Sequence, residues 1–219
     1  MTALDIVGPY EAITGLSNIQ TILVAATAEP VQAEGSMRIV PDCTFASAPP
    51  LDVLIIPGGT GMNHIMEDNR WMDFLTVHAS EAQWITSVCT GALALGAAGL
   101  LRGYRATTHW MSLDLLSKFG ATPCLQRVMV DRNRVTGGGV TAGIDLGLTL
   151  AAMIAGETAY RERQLLLQYN VQPPFPDTNP DSADAGIAQA VRATRSAIQQ
   201  ARLEIIDRIM KRTADKQGS

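Results

Sequence analysis

The chain predicts an α/β fold built on a mostly parallel sheet, and two observations carry that expectation. Short apolar segments alternate with helical ones along the chain, which is the order of a parallel sheet with crossover helices. The clearest of these segments, "LDVLIIPGG" at 51–59, is continuously apolar through Val53, Leu54, Ile55 and Ile56, as expected of a strand covered on both faces. No internal repeat competes with that reading.

Taken in order, "TILVAAT" at 21–27 and "SMRIVPD" at 36–42 are β-compatible runs. The strand at 51–59 stops sharply at Pro57-Gly58-Gly59. "EDNRWMDFLTVHAS" follows as a helix, with Trp71, Phe74, Leu75 and His78 near one face. "AQWITSV" is the next strand and "TGALALGAAGLL" the helix after it. "HWMSLDLLSKFG" is a further helix closed by Gly120. "LQRVMVD" and "NRVTGGG" read as two strands joined by a turn at Arg132-Asn133. "TAGIDLGLTLAAMIAG" is an apolar, small-residue helix expected at the centre, and "ETAYRERQLLLQYN" continues it. After the proline-rich "VQPPFPDTNPD" comes a long final helix with Ile187, Val191, Ile198, Ile205 and Ile209 on one side. That stripe is expected to pack on the same domain or on a partner subunit.

The 219 residues are 47% hydrophobic and 17% charged, which suits one globular domain, residues 1–175, with an appended linker and helix at 176–219. A net charge of −4 without a long basic run argues against nucleic acid as a partner. No run of about 18 uncharged apolar residues is present, so no membrane span is expected. "MTALDIVGPY" lacks the basic start and apolar stretch of a signal peptide. Three cysteines, Cys43, Cys89 and Cys124, lie far apart and show neither a disulfide framework nor zinc-ligand spacing, so no metal is expected and a reducing cytoplasm is the expected compartment.

Cys89 holds the most chemistry. Between the strand ending at Val88 and the helix opening at Thr90, it occupies a tight turn like the elbow that carries the serine of α/β-hydrolases. A helix N-terminus favours thiolate over thiol, and Gly91 and Ala92 allow a ligand close to the backbone. The amides of Gly58 and Gly59 could face the same sulfur as an oxyanion hole would, and "RATTHW" at 105–110 brings His109 near. On these residues alone Cys89 is either a small buried hydrophobe or a nucleophile.

"IPGGTG", "SVCTGALALGAAGLLRGYRATTHW" and "RVTGGGVTAGIDLGLTLAA" together resemble the DJ-1/PfpI superfamily, and within it the isonitrile hydratases, from "LDIVGPYE" to about residue 175. The resemblance implies a flavodoxin-like three-layer sandwich, a homodimer, a cysteine nucleophile on an elbow, and no metal or organic cofactor. It implies hydration of an isonitrile to an N-substituted formamide through a thioimidate on the cysteine. By position, Cys89 matches the nucleophile, Thr90 the neighbour that helps hold the site, and Asp5 the acid beside the cysteine. Gly58 and Gly59 match backbone donors, and His109 a substrate-side position. One departure stands out: the family begins with an apolar strand ahead of the loop bearing the acid, whereas this chain starts at Met1, almost at that loop. Either the numbering begins at an internal methionine, or that strand is lacking and its neighbour's edge is exposed, which would disturb the position of Asp5.

Several features carry blander expectations. His64 and His78 are surface or helix-face residues, Cys43 and Cys124 are structural, and Trp71, Trp84 and Trp110 belong to the core or an interface. "GGGVTAG" at 137–143 imitates a dinucleotide loop but reads as a turn into a packed helix. The competing functions are a glyoxalase, deglycase or peptidase on the same scaffold, a ligand sensor, and a redox sensor using Cys89.

Overall fold

The computed structural model describes residues 1–17 and 19–217. The first half of the chain runs α1 (Leu4–Ile13), β1 (Val24–Ala25), β2 (Val31–Gln32), β3 (Arg38–Ile39), β4 (Cys43–Thr44), β5 (Val53–Ile56), α2 (Met62–Ile65), α3 (Asn69–Glu81) and β6 (Trp84–Val88). It continues with α4 (Gly91–Ala97), β7 (Arg105–Ala106), a 3-10 helix (Trp110–Phe119), β8 (Thr122–Pro123), β9 (Val128–Asp131), β10 (Arg134–Gly137), α5 (Ala142–Leu166) and α6 (Ala185–Gln217).

The central sheet has the order β5-β6-β10-β9. β5, β6 and β10 are parallel, and β9 joins β10 as an antiparallel hairpin through Arg132, whose φ of 54° makes the turn. β1 with β4 and β7 with β8 form small parallel pairs, and β2 with β3 an antiparallel one. The mostly parallel α/β sandwich is therefore as expected. Among the described residues, β5 pairs with β6 on one side and with no strand on the other.

Two apolar layers cover the sheet. On one side Ile13 and Leu16 meet Val88, Val135, Leu146 and Leu150. On the other, Leu54, Ile56, Leu75, Leu93, Leu116 and Ile206 form the larger core. Each fully buried side chain of this kind stabilises the fold by about 1.5–3 kcal/mol. α5 is long and apolar enough to cross a membrane, yet Ala142, Leu146, Leu150 and Ala151 are buried in the protein, as in a core helix.

Three differences from the sequence reading have physical causes. The "LDIVGPYE" segment is a helix rather than a loop. Proline usually breaks a helix, but Pro9 here packs against Gly143 and Gly147 of α5, where an added Cβ would sit 3.0 Å from Pro9 Cδ and 2.6 Å from Ala12 Cβ respectively. α5 is interrupted by a kink at Gly156, at φ 89°, where the sequence reads as continuous. In α6 the apolar stripe is buried only toward its C-terminal part: Ile205 and Ile206 enter the core, while Ile187 and Val191 are exposed.

Candidate active site

β6 ends at Val88 and α4 begins at Gly91, so the chain reverses role within two residues. Cys89 makes that turn with φ 54°, a left-handed conformation costing a non-glycine residue about 1–2 kcal/mol. Its backbone is held on both sides. The Cys89 N–H donates to the carbonyls of Gly137 and Gly138, at 3.1 and 2.9 Å, and Thr108 Oγ1 donates to the Cys89 carbonyl at 2.7 Å. Gly91 permits the close start of α4, because a Cβ there would overlap the Ile56 carbonyl. The "GGGVTAG" segment thus serves the turn at Cys89 through two carbonyls and then enters α5.

Asp5 lies in the first turn of α1 with no exposed surface, and Cys89 is 4% exposed. The close α1–α5 packing sets the position of Asp5, which reaches Cys89 across the end of the sheet. Asp5 Oδ2 accepts the Gly58 N–H at 2.9 Å, while Oδ1 is buried and receives no hydrogen bond of good geometry. The Cys89 thiol is close enough to donate toward this carboxyl. Burial pushes Asp5 up to about 6 against the pull of the Gly58 N–H and the thiol. Burial, and next the negative charge of Asp5, push the Cys89 thiol up to about 12. The resting pair near neutral pH is a carboxylate beside a protonated thiol.

That arrangement corrects two expectations. The helix N-terminus does not prevail at Cys89: the hydrogen bonds from Thr90 do favour the thiolate, but burial and Asp5 outweigh them. The glycine amides are also not free to face the sulfur. Gly58 donates to Asp5, and Gly59 donates to Thr90 Oγ1 at 2.9 Å. The two amides instead lock the acid and the residue after the cysteine, and Thr90 Oγ1 donates back to the Gly59 carbonyl at 3.2 Å.

His109 is half-buried and caps the 3-10 helix, its Nδ1 accepting the Met111 N–H at 3.3 Å. Burial, then the positive charges of Arg202 and Arg195, hold its imidazole below the usual range and so neutral. His64 is exposed and His78 lies on its helix face with its ring tilted 46° against that of Phe74, as expected. Cys43 and Cys124 are free and half-buried, away from this cluster. Among the described residues no three His, Cys, Asp or Glu side chains group to hold a metal ion.

Sequence reasoning missed a polar cluster from α6. Arg202 is 3% exposed, and its guanidinium donates to Asn63 Oδ1 at 3.0 Å, Ser112 Oγ at 3.0 Å and Gln199 Oε1 at 3.4 Å. The signal was present: Arg202 falls in phase with Ile198, Ile205 and Ile209, a charge within a buried stripe.

The DJ-1/PfpI family model matches residues 1–153. The chain is 43% identical over 205 residues to the isonitrile hydratase of Pseudomonas putida, covering 94% of this chain and 90% of that protein. The transcriptional regulator GbdR of Pseudomonas aeruginosa is 35% identical, over 55% of this chain and 33% of its own length. Among solved structures, a ThiJ/PfpI family protein from Pseudomonas syringae superposes with a TM-score of 0.91 at 38% identity, covering 94% of this chain and 86% of that one. Schizosaccharomyces pombe DJ-1 gives a TM-score of 0.67 at 18% identity over 77% of this chain and 94% of its own, which carries the fold alone. With the family model spanning most of the chain and a relative of this identity along nearly all of it, the chain belongs to the DJ-1/PfpI family.

Proposed function

We propose that the protein is an isonitrile hydratase, a lyase in which Cys89 is the nucleophile on its elbow and Asp5 moves the proton. The observation that carries this reading is the buried Cys89–Asp5 pair, with the cysteine on its strained turn and the acid held beside it by the Gly58 N–H at 2.9 Å. The identity to the Pseudomonas putida isonitrile hydratase supports the choice of substrate class.

An isonitrile, R–N≡C, needs a nucleophile and a proton at the same terminal carbon. The Cys89 S–H bond breaks toward the Asp5 carboxylate as sulfur bonds to that carbon. Asp5 then delivers the proton to the carbon, giving the thioimidate R–N=CH–S–Cys89. Water adds to the same carbon, the C–S bond breaks, and R–NH–CHO leaves as the thiol regains a proton. Thr90 holds the turn through Gly59, and the amide of Gly58 keeps Asp5 aimed. Gly59 and His109 form part of the wall around the substrate rather than an oxyanion hole.

In this reading residues 1–175 are the catalytic unit and 176–219 the linker and covering helix. The protein acts as a cytoplasmic homodimer on a small isonitrile, without metal or organic cofactor and without nucleic acid. Exposed Leu165, Leu166 and Phe175 support a subunit contact. The test is formamide formation from cyclohexyl isonitrile, followed by mass spectrometry. Wild type is expected to produce it and Cys89→Ala to produce none; a folded wild type giving no formamide would overturn the proposal.

A further inference from the structure

Cys89 is 4% exposed and Asp5 not at all, so an electrophile reaches the sulfur only when something over the pair moves aside. Much of the surround is fixed. The Cys89 N–H is bonded to the carbonyls of Gly137 and Gly138, α1 packs tightly on α5, and α4 starts against the Ile56 carbonyl. Two arms remain, and each is tied to residues that hold the site.

The first arm is the loop between β2 and β3. Glu34 there donates its N–H to the Met1 carbonyl at 2.8 Å, and its Oε1 accepts from Thr2 Oγ1 at 3.4 Å. Thr2 in turn donates its N–H to the Gly58 carbonyl at 3.2 Å. It lies so close to Gly59 that a Cβ on that glycine would sit 2.5 Å from the Thr2 nitrogen. Glu34 is thereby tied, through Thr2, to the Gly58-Gly59 segment that holds Asp5 and Thr90.

The second arm is α6, where Arg195, Gln199 and Arg202 follow one another at helical spacing on one face. Arg202 is bonded to Asn63 and Ser112, and Gln199 Nε2 donates to Ser112 Oγ at 3.0 Å. The Ser112 N–H donates to the His109 carbonyl at 2.8 Å, beside Thr108, whose hydroxyl holds the Cys89 carbonyl. Near the start of this stretch Arg192 lies over the Trp110 ring at 4.4 Å. The two arms meet where Arg195 Nη2 stands 4.0 Å from Glu34 Oε2, with both side chains exposed.

We propose that the Glu34–Arg195 ion pair is the gate of the Cys89 site, joining the β2–β3 loop to α6 across the way in and admitting compact electrophiles in preference to bulky ones. An exposed pair at this distance is weak, so it parts and re-forms at little cost. A compact R group passes when two side chains swing aside, whereas a broad one needs the loop and the helix held apart. The inference deepens the hydratase reading, because it limits the R group of the isonitrile, and it rests on Cys89 being the reacting sulfur.

The test is the rate of Cys89 alkylation by iodoacetamide and by its bulky N-pyrenyl derivative at one pH, read by peptide mass spectrometry. The two reagents share the reacting carbon, so a change in the sulfur's own reactivity cancels in the ratio of bulky to small rates. Glu34→Gln and Arg195→Gln are each expected to raise that ratio about fourfold, and by at least about twofold. The charge swap, Glu34→Arg with Arg195→Glu, is expected to return it to within about twofold of wild type. Side chains that matter only for local structure would leave the swap no better than the single variants. A rise of less than about twofold in either single variant, or a ratio that stays raised in the swap, would overturn the proposal. The readout needs no isonitrile, so failure of the hydratase assay and failure of this inference are distinguishable.

Discussion

The backbone amide of Gly58 donates a 2.9 Å hydrogen bond to Oδ2 of Asp5 and thereby ties the end of β5 to the first turn of α1. The approach is so close that a Cβ on Gly58 would sit 2.5 Å from Thr90 N and 2.9 Å from Asp5 Oδ2. Gly58→Ala must therefore displace either the acid or the turn that carries Cys89. The expected outcome is a loss of formamide production of more than tenfold, with a destabilisation of about 1–3 kcal/mol in urea unfolding. Activity within twofold of wild type would show that the Gly58–Asp5 contact is dispensable.

Asp5 makes the fold pay for its function. Its folded value of about 6 lies above the ordinary 3.8, so the folded state binds this proton more tightly than the unfolded chain does. Stability from this group is complete below about pH 4 and is lost as pH rises to about 6 and beyond. The difference corresponds to about 3 kcal/mol at pH 8. Asp5→Asn, which carries no charge, is expected to unfold later than wild type at pH 8, with the gap shrinking at pH 4, and to lose turnover. Parallel denaturation curves at the two pH values measure it; a gap independent of pH would contradict the assigned cost.

The same pair fixes the pH profile of turnover. Asp5 must be ionised to receive the thiol proton, so kcat/KM is expected to rise through about pH 6. With the thiol pushed up to about 12, no descending limb from Cys89 is expected up to pH 10. A rising limb near pH 8–9 would instead point to a thiolate that forms before substrate binds.

Thr90→Val keeps the shape of the side chain and removes the hydroxyl that accepts from Gly59 N–H and donates to its carbonyl. The buried Gly59 amide then has no acceptor, at a cost of about 1–3 kcal/mol. Thermal unfolding is expected to fall accordingly, and formamide production to drop by about tenfold as the Gly58-Gly59 segment loosens. Unchanged stability would mean that water reaches the Gly59 amide.

Much of this was legible in the residues. The unbroken apolar run Val53–Ile56 announced a core strand, of which Leu54 and Ile56 are buried and Val53 and Ile55 half-buried, and Gly120 the end of the preceding helical turn, at φ 77°. The two-residue strands β2, β4, β7 and β8 were not legible, since their pairing is set by neighbours far along the chain rather than by any local pattern. α1 escaped notice because Gly8 and Pro9 disfavour a helix locally, and only contact with Gly143 and Gly147 makes them advantageous. At the site, Cys89 and Thr90 stood out at a strand-to-helix junction, whereas Asp5 was placed by family resemblance alone, 84 positions away by subtraction of the two residue numbers. The raised thiol was not foreseeable from the turn, because burial is a property of the whole fold. Arg202 was hidden among the many charges of α6 until its burial set it apart.

The central claim is that Cys89 forms a bond to the isonitrile carbon, and intact-mass spectrometry of the wild-type protein, quenched in acid during turnover of cyclohexyl isonitrile, tests it most directly. The expected result is a fraction of protein heavier by one whole isonitrile, with the added mass on the peptide bearing Cys89. Formamide accumulating at an unchanged rate in Cys89→Ala, with no adduct on the wild-type cysteine, would contradict it.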